Sequence, residues 1–257
     1  MQDMRSFLGG RIKLFLGDAK DLVNEVYDVD SLVTDPPYNI GYNYGRYKDN
    51  LGWQEYFSWQ SDLLIGMKCM LAPKGNVLWL NYPEPTAIMW VAMLDHYYPV
   101  EWLTWIYHQH TGGKPLRKGT RAWMWMSNSD DAYIDPEPLK GEYRNPNDNR
   151  IKQCIAEGKK PVDMDWWFCE QVKNVSKEKT PHPCQMPIDY ITRIVKASCP
   201  PDGLVVDFFL GSGTTAEACV VSGRRFAGVE NDPKFFEIAV DRIERAVTTL
   251  TSQGGGV

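Results

Sequence analysis

The sequence lacks the features that would assign it to a membrane, secreted or metal-binding class. Its apolar runs fall well short of the roughly 18 residues that a membrane-spanning helix needs, and residues 1–18 contain no continuous apolar stretch like that of a signal peptide. The six cysteines include no Cys-x-x-Cys pair and no cluster with histidine at zinc spacing. We therefore expect free thiols in a reducing cytosol, and a cytoplasmic protein whose first residues belong to the mature fold.

A large excess of positive charge is also absent, because 28 lysines and arginines face 33 acidic residues for a net charge of −5. This balance argues against general coating of nucleic acid, although it leaves a local basic cleft open. One basic segment lies between Thr111 and Ser129, where no acidic residue occurs. It is a candidate phosphate-binding loop for DNA, an ordinary solvated loop being the alternative. Its basic residues are Lys114, Arg117, Lys118 and Arg121.

A metal site is not predicted. His108 and His110 would point to one face of a strand, but no carboxylate or cysteine stands at a spacing that would complete their coordination.

What the sequence does contain is an alternation of strand and helix patterns, which predicts an α/β sheet with helices on its faces. Seven strands are predicted: Arg11–Gly17, Ser31–Thr34, Asn76–Leu80, Glu101–His108, Arg121–Met126, Leu204–Val206 and Arg225–Val229. After a short helix behind Asp18, the main helices are predicted at Tyr56–Met70, Pro85–His96, Pro187–Cys199, Thr214–Ser222 and Pro233–Thr248.

Residues 135–180 interrupt this alternation, since they are rich in Pro, Asn, Lys and Asp and show little periodicity. We predict one domain in two halves, 1–134 and 181–250, separated by this irregular insertion. Residues 251–257 are predicted to form a frayed tail.

Two short motifs stand at strand ends. The strand from Ser31 ends in Asp35-Pro36-Pro37-Tyr38, and a late strand ends in a glycine-rich loop that runs from Asp207 to Ala216. Glycines let a ligand approach the backbone, and the following helix presents unpaired N–H groups. Glu230 follows Gly211 by 19 residues, where an acid can accept hydrogen bonds from ribose hydroxyls.

Taken alone, this loop matches the G-x-G-x-x-A pattern of NAD-binding proteins. A dinucleotide fold needs several more strand–helix units after its first two strands, and here only the helix from Pro233 and a tail remain. The missing strands must therefore come from the amino-terminal half of the chain.

The order of these motifs resembles a known family. The chain is similar to the amino-group DNA methyltransferases that use S-adenosylmethionine, in the permuted motif order called the β class. Lys179-Thr-Pro-His182-Pro-Cys-Gln185-Met-Pro187 parallels a third segment of that family, so the resemblance runs from Asp18 to about Ala246. The chain departs from the pattern at Phe208, where the family has Pro, and at Met186, where it has Lys. We expect neither position to grip the cofactor.

The resemblance implies a Rossmann-like methyltransferase fold with a mixed, circularly permuted seven-stranded sheet, whose insertion 135–180 forms a small target-recognition region. It also implies S-adenosylmethionine as cofactor. The residues expected to bind it are Asp18, Asp35, His182, Gln185, Asp207, Phe209, Gly211, Ser212, Gly213, Thr214, Thr215 and Glu230. A helix N-cap for Asp18 and a structural hydrogen bond for His182 are the alternatives.

The chemistry of amine methylation explains the first motif. An exocyclic amine is a poor nucleophile, and acceptors aimed at its hydrogens favour a lone pair that points at a methyl donor. Asp35 supplies one acceptor, and the carbonyl of Pro36, held rigid by the prolines, supplies a second. Tyr38 would stack on a base flipped out of the duplex. Positioning then suffices without a strong general base. The resemblance implies these roles for Asp35, Pro36, Pro37 and Tyr38.

The expected substrate is double-stranded DNA, and an Asp at the first motif position favours adenine N6 within this family. The alternatives are cytosine N4 as target, a protein-glutamine methyltransferase, a non-catalytic DNA-binding module and the NAD enzyme. The resemblance also suggests a homodimer and a cognate restriction endonuclease as partners.

Overall fold

The computed structural model describes residues 3–23, 25–44, 47–111, 116–173, 176, 178–252 and 254. Its strands are β1 (Asp3–Phe7), β2 (Ile12–Leu16), β3 (Val29–Thr34), β4 (Asn43–Tyr44), β5 (Tyr47–Lys48), β6 (Leu71–Asn81), β7 (Tyr98–Thr111), β8 (Lys118–Ser127), β9 (Trp166–Phe168), β10 (Leu204–Asp207) and β11 (Arg225–Glu230). Its α-helices are α1 (Ala19–Leu22), α2 (Trp53–Met67), α3 (Pro83–Met93), α4 (Asn149–Ala156), α5 (Ile188–Ser198), α6 (Thr214–Ser222) and α7 (Pro233–Ser252).

One large sheet organises the protein, with strand order β1-β2-β11-β10-β3-β6-β8-β7-β9. The five strands from β2 to β6 in this order are parallel, and β1, β8 and β7 add antiparallel pairs at the two sides. After β10 the chain crosses to β11 on one side, and after β3 it crosses to β6 on the other side. The carboxyl ends of β3 and β10 therefore flank the topological switch point, where open α/β sheets bind ligands.

Both faces of the sheet are covered, which explains why its central strands are continuous apolar runs. Helices α5, α6 and α7 pack together on one face, over a core that includes Ile194, Cys219 and Phe236. Helices α2 and α3 cover the other face, over a core that includes Leu64 and Trp79. The helical layers on the two faces of the sheet thus hold the strand ends at the switch point in place.

The predicted number of seven strands is wrong, because two short edge strands extend the sheet to nine strands in the described part of the chain. Strand β1 pairs antiparallel with β2, across a turn in which Gly9 and Gly10 have φ of 64° and 95°. Strand β9 lies inside the insertion and pairs in parallel with β7. A strand of three residues is too short to show periodicity, and the half-exposed β1 offers little apolar signal.

Two other differences concern helices. Residues 149–156 of the insertion form helix α4, which Asp148 caps by accepting a hydrogen bond from the Arg150 N–H. Helix α7 continues to Ser252 and so enters the predicted tail. Within the described ranges, none of the helices combines the length and the apolar character that crossing a membrane requires.

Candidate active site

A cavity of about 220 Å³ opens at the switch point. Asp35-Pro-Pro-Tyr38 forms one wall, and the glycine-rich loop, the start of α6 and the end of β11 form the opposite wall. The predicted residues that line it are Asp18, Asp35, Pro36, Pro37, Tyr38, His182, Asp207, Phe209, Gly211, Ser212, Thr214, Thr215 and Glu230. Two motifs far apart in the chain therefore form one site.

Asp207 joins the two walls. One carboxylate oxygen accepts hydrogen bonds from the Thr34 hydroxyl at 2.8 Å and the Phe209 N–H at 3.0 Å, and the other accepts one from the Thr215 hydroxyl at 2.8 Å. Burial raises the pKa of Asp207 above its ordinary value, against these three hydrogen bonds. Its carboxylate thus fixes the loop to strand β3 as well as facing the cavity.

Glu230 holds the glycine-rich loop from the other side. Its carboxylate accepts the N–H of Gly211 at 2.9 Å on one oxygen, and the N–H groups of Asn231 and Asp232 on the other. Gly211 has φ of 52°, and a Cβ on it would meet the His182 ring at 3.1 Å. The loop therefore needs glycine here for its backbone conformation and for its approach to His182.

Gly213 serves helix packing and is outside the cavity lining. It precedes α6 with φ of 78°, and a Cβ on it would meet the Cβ of Ala239 at 3.1 Å. The second glycine of the motif thus lets α6 start against α7.

The Gly213→Ala variant is expected to lose about 1–2 kcal/mol of unfolding free energy, because alanine is strained in the left-handed conformation and crowds Ala239. Urea denaturation measures this loss. The matched control is Gly66→Ala in α2, where a Cβ meets nothing within 4 Å and stability should rise by about 0.5–1 kcal/mol. Equal effects of the two substitutions would contradict this packing role.

Asp18 is both a helix N-cap and a lining residue of the cavity. It caps α1 by accepting the Lys20 N–H at 2.9 Å, and it also lines the cavity. Ser212 and Thr214 are buried and accept hydrogen bonds from the buried Arg242, which pairs with Glu217. The start of α6 is therefore anchored to α7.

His182 and Gln185 differ in position. The buried His182 lines the cavity, packs edge-to-face on Phe235, and accepts the Cys184 N–H at 3.3 Å on Nδ1. Burial, with the charges of Lys179 and Arg242, lowers the pKa of His182 to about 4. The imidazole is neutral at physiological pH.

Gln185 lies outside the cavity lining. Its carbonyl oxygen accepts two hydrogen bonds from Thr180, and its amide donates to the Glu178 carbonyl at 2.7 Å. These bonds fold the segment that carries His182, so the structure places Gln185 as a support for this segment.

Asp35 and Tyr38 are in direct contact, because the Tyr38 hydroxyl donates a hydrogen bond to the Asp35 carboxylate. Burial raises the pKa of Asp35 to about 7, and Asp207 adds to the rise, while the Tyr38 hydrogen bond and the charge of Arg121 oppose it. The carboxylate therefore gains its charge near neutral pH. Tyr38 is itself buried, with its ring centroid 5.4 Å from that of Tyr82.

The backbone carbonyls of Pro36 and Pro37 differ in their hydrogen bonds. That of Pro37 accepts a hydrogen bond from the Tyr56 hydroxyl at 2.7 Å, and Tyr56 in turn accepts one from the Asn81 amide at 2.8 Å. In the described part of the chain, the Pro36 carbonyl accepts no hydrogen bond. It is the carbonyl available to a ligand.

The basic segment is not one exposed loop. Lys114 lies outside the described residues, Arg117 is exposed, and Lys118 pairs with Glu84. Arg121 is only 5% exposed, because β8 carries it inward among aromatic rings behind Tyr38. The expectation that Arg121 binds phosphate at the surface therefore does not match its burial.

Several lining residues were not predicted, among them Trp59, Leu63, Cys184 and Phe235. Phe208 and Met186, the two departures from the family pattern, also line the cavity. Tyr82 was not predicted either; its ring centroid lies 5.4 Å from that of the lining residue Tyr38. Tyr82 follows the end of β6, the parallel neighbour of β3, and this position could have indicated it.

No group of three or more His, Cys, Asp or Glu side chains suited to a metal occurs among the residues that the structure describes. His108 instead contacts Glu170 at 2.7 Å.

A mostly parallel sheet with a glycine-rich loop, an acid after the next strand and a cleft at the switch point defines an α/β protein of the class that binds nucleoside-containing cofactors. The comparison with known sequences narrows this class. A family described as DNA methylase, with N6 and N4 enzymes, matches residues 29–241. The chain belongs to this DNA methylase family.

Among curated relatives, Type II methyltransferase M.ScaI from Streptomyces caespitosus is 29% identical, covering 93% of this chain and 83% of that protein. DNA adenine methyltransferase YhdJ from Escherichia coli (strain K12) is 25% identical, covering 85% of this chain and 77% of that protein.

Solved structures share the fold. PvuII DNA methyltransferase (cytosine-N4-specific) has a TM-score of 0.71 at 14% identity, covering 92% of this chain and 91% of that chain. The M1.HpyAVI–SAM complex has a TM-score of 0.63 at 19% identity, covering 90% and 99%. These likenesses confirm the predicted methyltransferase fold.

Proposed function

We propose that this protein methylates the exocyclic N6 of an adenine flipped out of double-stranded DNA. The observation that carries the proposal is the joint site, in which Asp35 and the Pro36 carbonyl face the same cavity as the glycine-rich loop and Glu230. The membership of the DNA methylase family and the YhdJ relative support the reaction and the adenine target.

The cofactor is S-adenosylmethionine, which supplies an activated methyl group on a positively charged sulfonium. The cavity suits such a cation, because four carboxyl groups line it against one lysine, Lys20, and the neutral His182. Those acids are Asp18, Asp35, Asp207 and Glu230. Glu230 would accept hydrogen bonds from the ribose hydroxyls, and the glycine-rich loop around Gly211 would face the amino-acid end.

Asp35 and Pro36 act on the amine. The ionised carboxylate accepts a hydrogen bond from the amine, and this bond replaces the present one from the Tyr38 hydroxyl. The Pro36 carbonyl accepts a hydrogen bond from the second amine hydrogen. Both contacts direct the nitrogen lone pair at the methyl group. Bound S-adenosylmethionine would supply the methyl group, with a neutral thioether as the leaving group. The proton that the methylated nitrogen gives up would pass to water. Tyr38, freed from the carboxylate, stacks on the base.

DNA contacts are proposed for the exposed Arg117 and for Lys118, whose Nζ lies 5.5 Å from the Tyr82 ring centroid. The insertion 135–180 is proposed as the target-recognition region, because its strand β9 exposes Trp166 and Phe168 and Arg144 lies 4.9 Å from the Trp166 ring centroid. Aromatic and arginine side chains of this kind contact bases and phosphates. The homodimer and the cognate endonuclease stay predictions.

Cytosine N4 is the second candidate target, because the cytosine-N4-specific PvuII enzyme shares this fold. Both amines fit the same two acceptors. Incubation with tritiated S-adenosylmethionine and unmethylated DNA, followed by digestion to nucleosides, separates the candidates. We expect label in N6-methyladenosine. Label in N4-methylcytosine would replace the adenine assignment, and binding of the cofactor without any label in DNA would contradict both.

A further inference from the structure

Arg121 lies among the rings of three tyrosines, one of which, Tyr38, donates a hydrogen bond to the Asp35 carboxylate. Its guanidinium carbon is 3.9 Å from the ring centroid of Tyr82 and 4.9 Å from that of Tyr38, and it donates a hydrogen bond to the Tyr107 hydroxyl. The antiparallel pairing of β8 with β6 brings it there, because its neighbour Ala122 pairs with Asn81 at the carboxyl end of β6.

A buried arginine without a carboxylate in ion-pair contact is unusual, since an unneutralised buried charge is costly. Among the described residues, no acidic group forms a salt bridge with Arg121. The faces of Tyr82 and Tyr38 provide cation–π attraction, which is strong for desolvated arginine. The charge of Arg121 lowers the pKa of the Asp35 carboxyl.

We propose that Arg121 is a positioning residue for methyl transfer, which clamps the Tyr38 ring and presents its positive charge to the Asp35 carboxylate. This role rests on the proposed function, and no family motif identified in the sequence includes Arg121. Clamping keeps Tyr38 beside the base-binding position, and the charge favours the ionised carboxylate that must accept the amine hydrogen.

Several other titratable or charged groups surround Arg121 and Asp35. Tyr38 donates to Asp35, Asp207 opposes its ionisation, and Tyr107 and Tyr82 surround the guanidinium. Lys118 lies 5.5 Å from the Tyr82 ring centroid but is neutralised by Glu84. The remaining ionisable residues of the cavity are Asp18, Lys20, His182, Cys184 and Glu230. Within this set, Arg121 and the Tyr38 hydrogen bond are what lower the pKa of Asp35.

The test is a pH titration of the Asp35 carboxyl carbon by ¹³C NMR, in protein that contains ¹³C-labelled aspartate. The Asp35 resonance is assigned as the one that is missing from the spectrum of Asp35→Asn. In Arg121→Gln the pKa of Asp35 should rise by about one unit, because an opposite charge close by is removed. In Arg121→Lys it should return close to the native value. Arg224→Gln is the matched control, because Arg224 is equally buried but donates to the carbonyls of Cys199 and Ser222.

The pH dependence of the methylation rate should change in the same way as the pKa of Asp35 in these variants. The acidic limb of the pH profile should move upward by about one pH unit in Arg121→Gln and stay in place in Arg121→Lys. The rate of Arg121→Lys at pH 8.5 should fall about tenfold, because lysine lacks the planar guanidinium that clamps the Tyr38 ring. A native NMR titration in Arg121→Gln would overturn the proposal. If that variant does not fold, a native rate in Arg121→Lys would overturn it.

The two proposals fail separately. The NMR titration needs no DNA, so a shifted pKa without any methyl transfer by the native protein would reject the proposed function and retain the coupling of Arg121 to Asp35. An active native enzyme with an unshifted pKa in Arg121→Gln would retain the function and reject the role of Arg121.

Discussion

Replacement of Asp35 by asparagine is expected to lower the rate of methyl transfer by about 100- to 1,000-fold, because the anionic acceptor that polarises the amine is lost. The affinity for S-adenosylmethionine should change little, since the ribose acceptor and the glycine-rich loop stay intact. Single-turnover kinetics with saturating cofactor, together with calorimetric titration of the cofactor, measure the two effects. Transfer at near the native rate would contradict the amine-polarising role.

The same substitution should stabilise the fold at alkaline pH. The pKa of Asp35 is about 7 in the folded protein and 3.8 ordinarily, so the folded state holds this proton more tightly. Its contribution to stability is therefore complete below about pH 4 and is lost as the pH rises through 7. At pH 8 the native carboxylate opposes folding, and Asp35→Asn should raise the melting temperature by about 5 °C or more.

The control for both effects is Asp62→Asn, which changes an exposed carboxylate of α2. It should leave the rate and the melting temperature unchanged at either pH. A gain of stability by Asp35→Asn that is equal at pH 4 and pH 8 would show that the ionisation of Asp35 is not its cause. An inactive variant that is more stable than the native protein is the signature of a carboxylate kept in place for catalysis.

Glu230→Gln is expected to weaken the binding of S-adenosylmethionine by about 100-fold. Two charge-assisted hydrogen bonds to the ribose become weaker, and the donor NH₂ group of glutamine faces another donor, the N–H of Gly211 or of Asn231. Isothermal titration calorimetry measures the affinity. The rate at saturating cofactor should fall much less, since Glu230 is remote from the amine.

A matched control is Glu237→Gln, which removes a carboxylate that is 59% exposed on α7. Its affinity for the cofactor should equal that of the native protein. If Glu230→Gln bound S-adenosylmethionine as tightly as this control, the assignment of Glu230 to the ribose would be wrong.

Much of the fold could be predicted because buried parallel strands and amphipathic helices leave strong local patterns. The strands around Ser31 and Leu204 were recognised from short apolar runs that end at an acid. Strand β9 could not be found in this way, since its three residues pair with β7, more than 50 residues earlier in the sequence. Strand β1 depends similarly on a glycine turn and one partner.

The site could be predicted where a residue type has one chemical use at a strand end, as with Asp35 and Glu230, whose place in the cavity matches the expectation. The surroundings of Arg121 could not, because a basic residue in a glycine-containing segment reads as a surface charge. Its burial depends on Tyr82, which follows β6, and on Tyr107 of β7. Similarly, Gly213 belongs to a ligand-loop motif, but its neighbour is Ala239 of a helix.

The bond from the Thr34 hydroxyl to Asp207 spans 173 residues of sequence, which has a consequence for the order of events during synthesis. Strands β2 and β3 leave the ribosome long before β11 and β10, the partners that lie between them. Until then each has a free edge, and the two halves of the cavity have nothing to close against. Methyl transfer is therefore an activity of the completed chain, and no nascent fragment can modify DNA before the last strands are added.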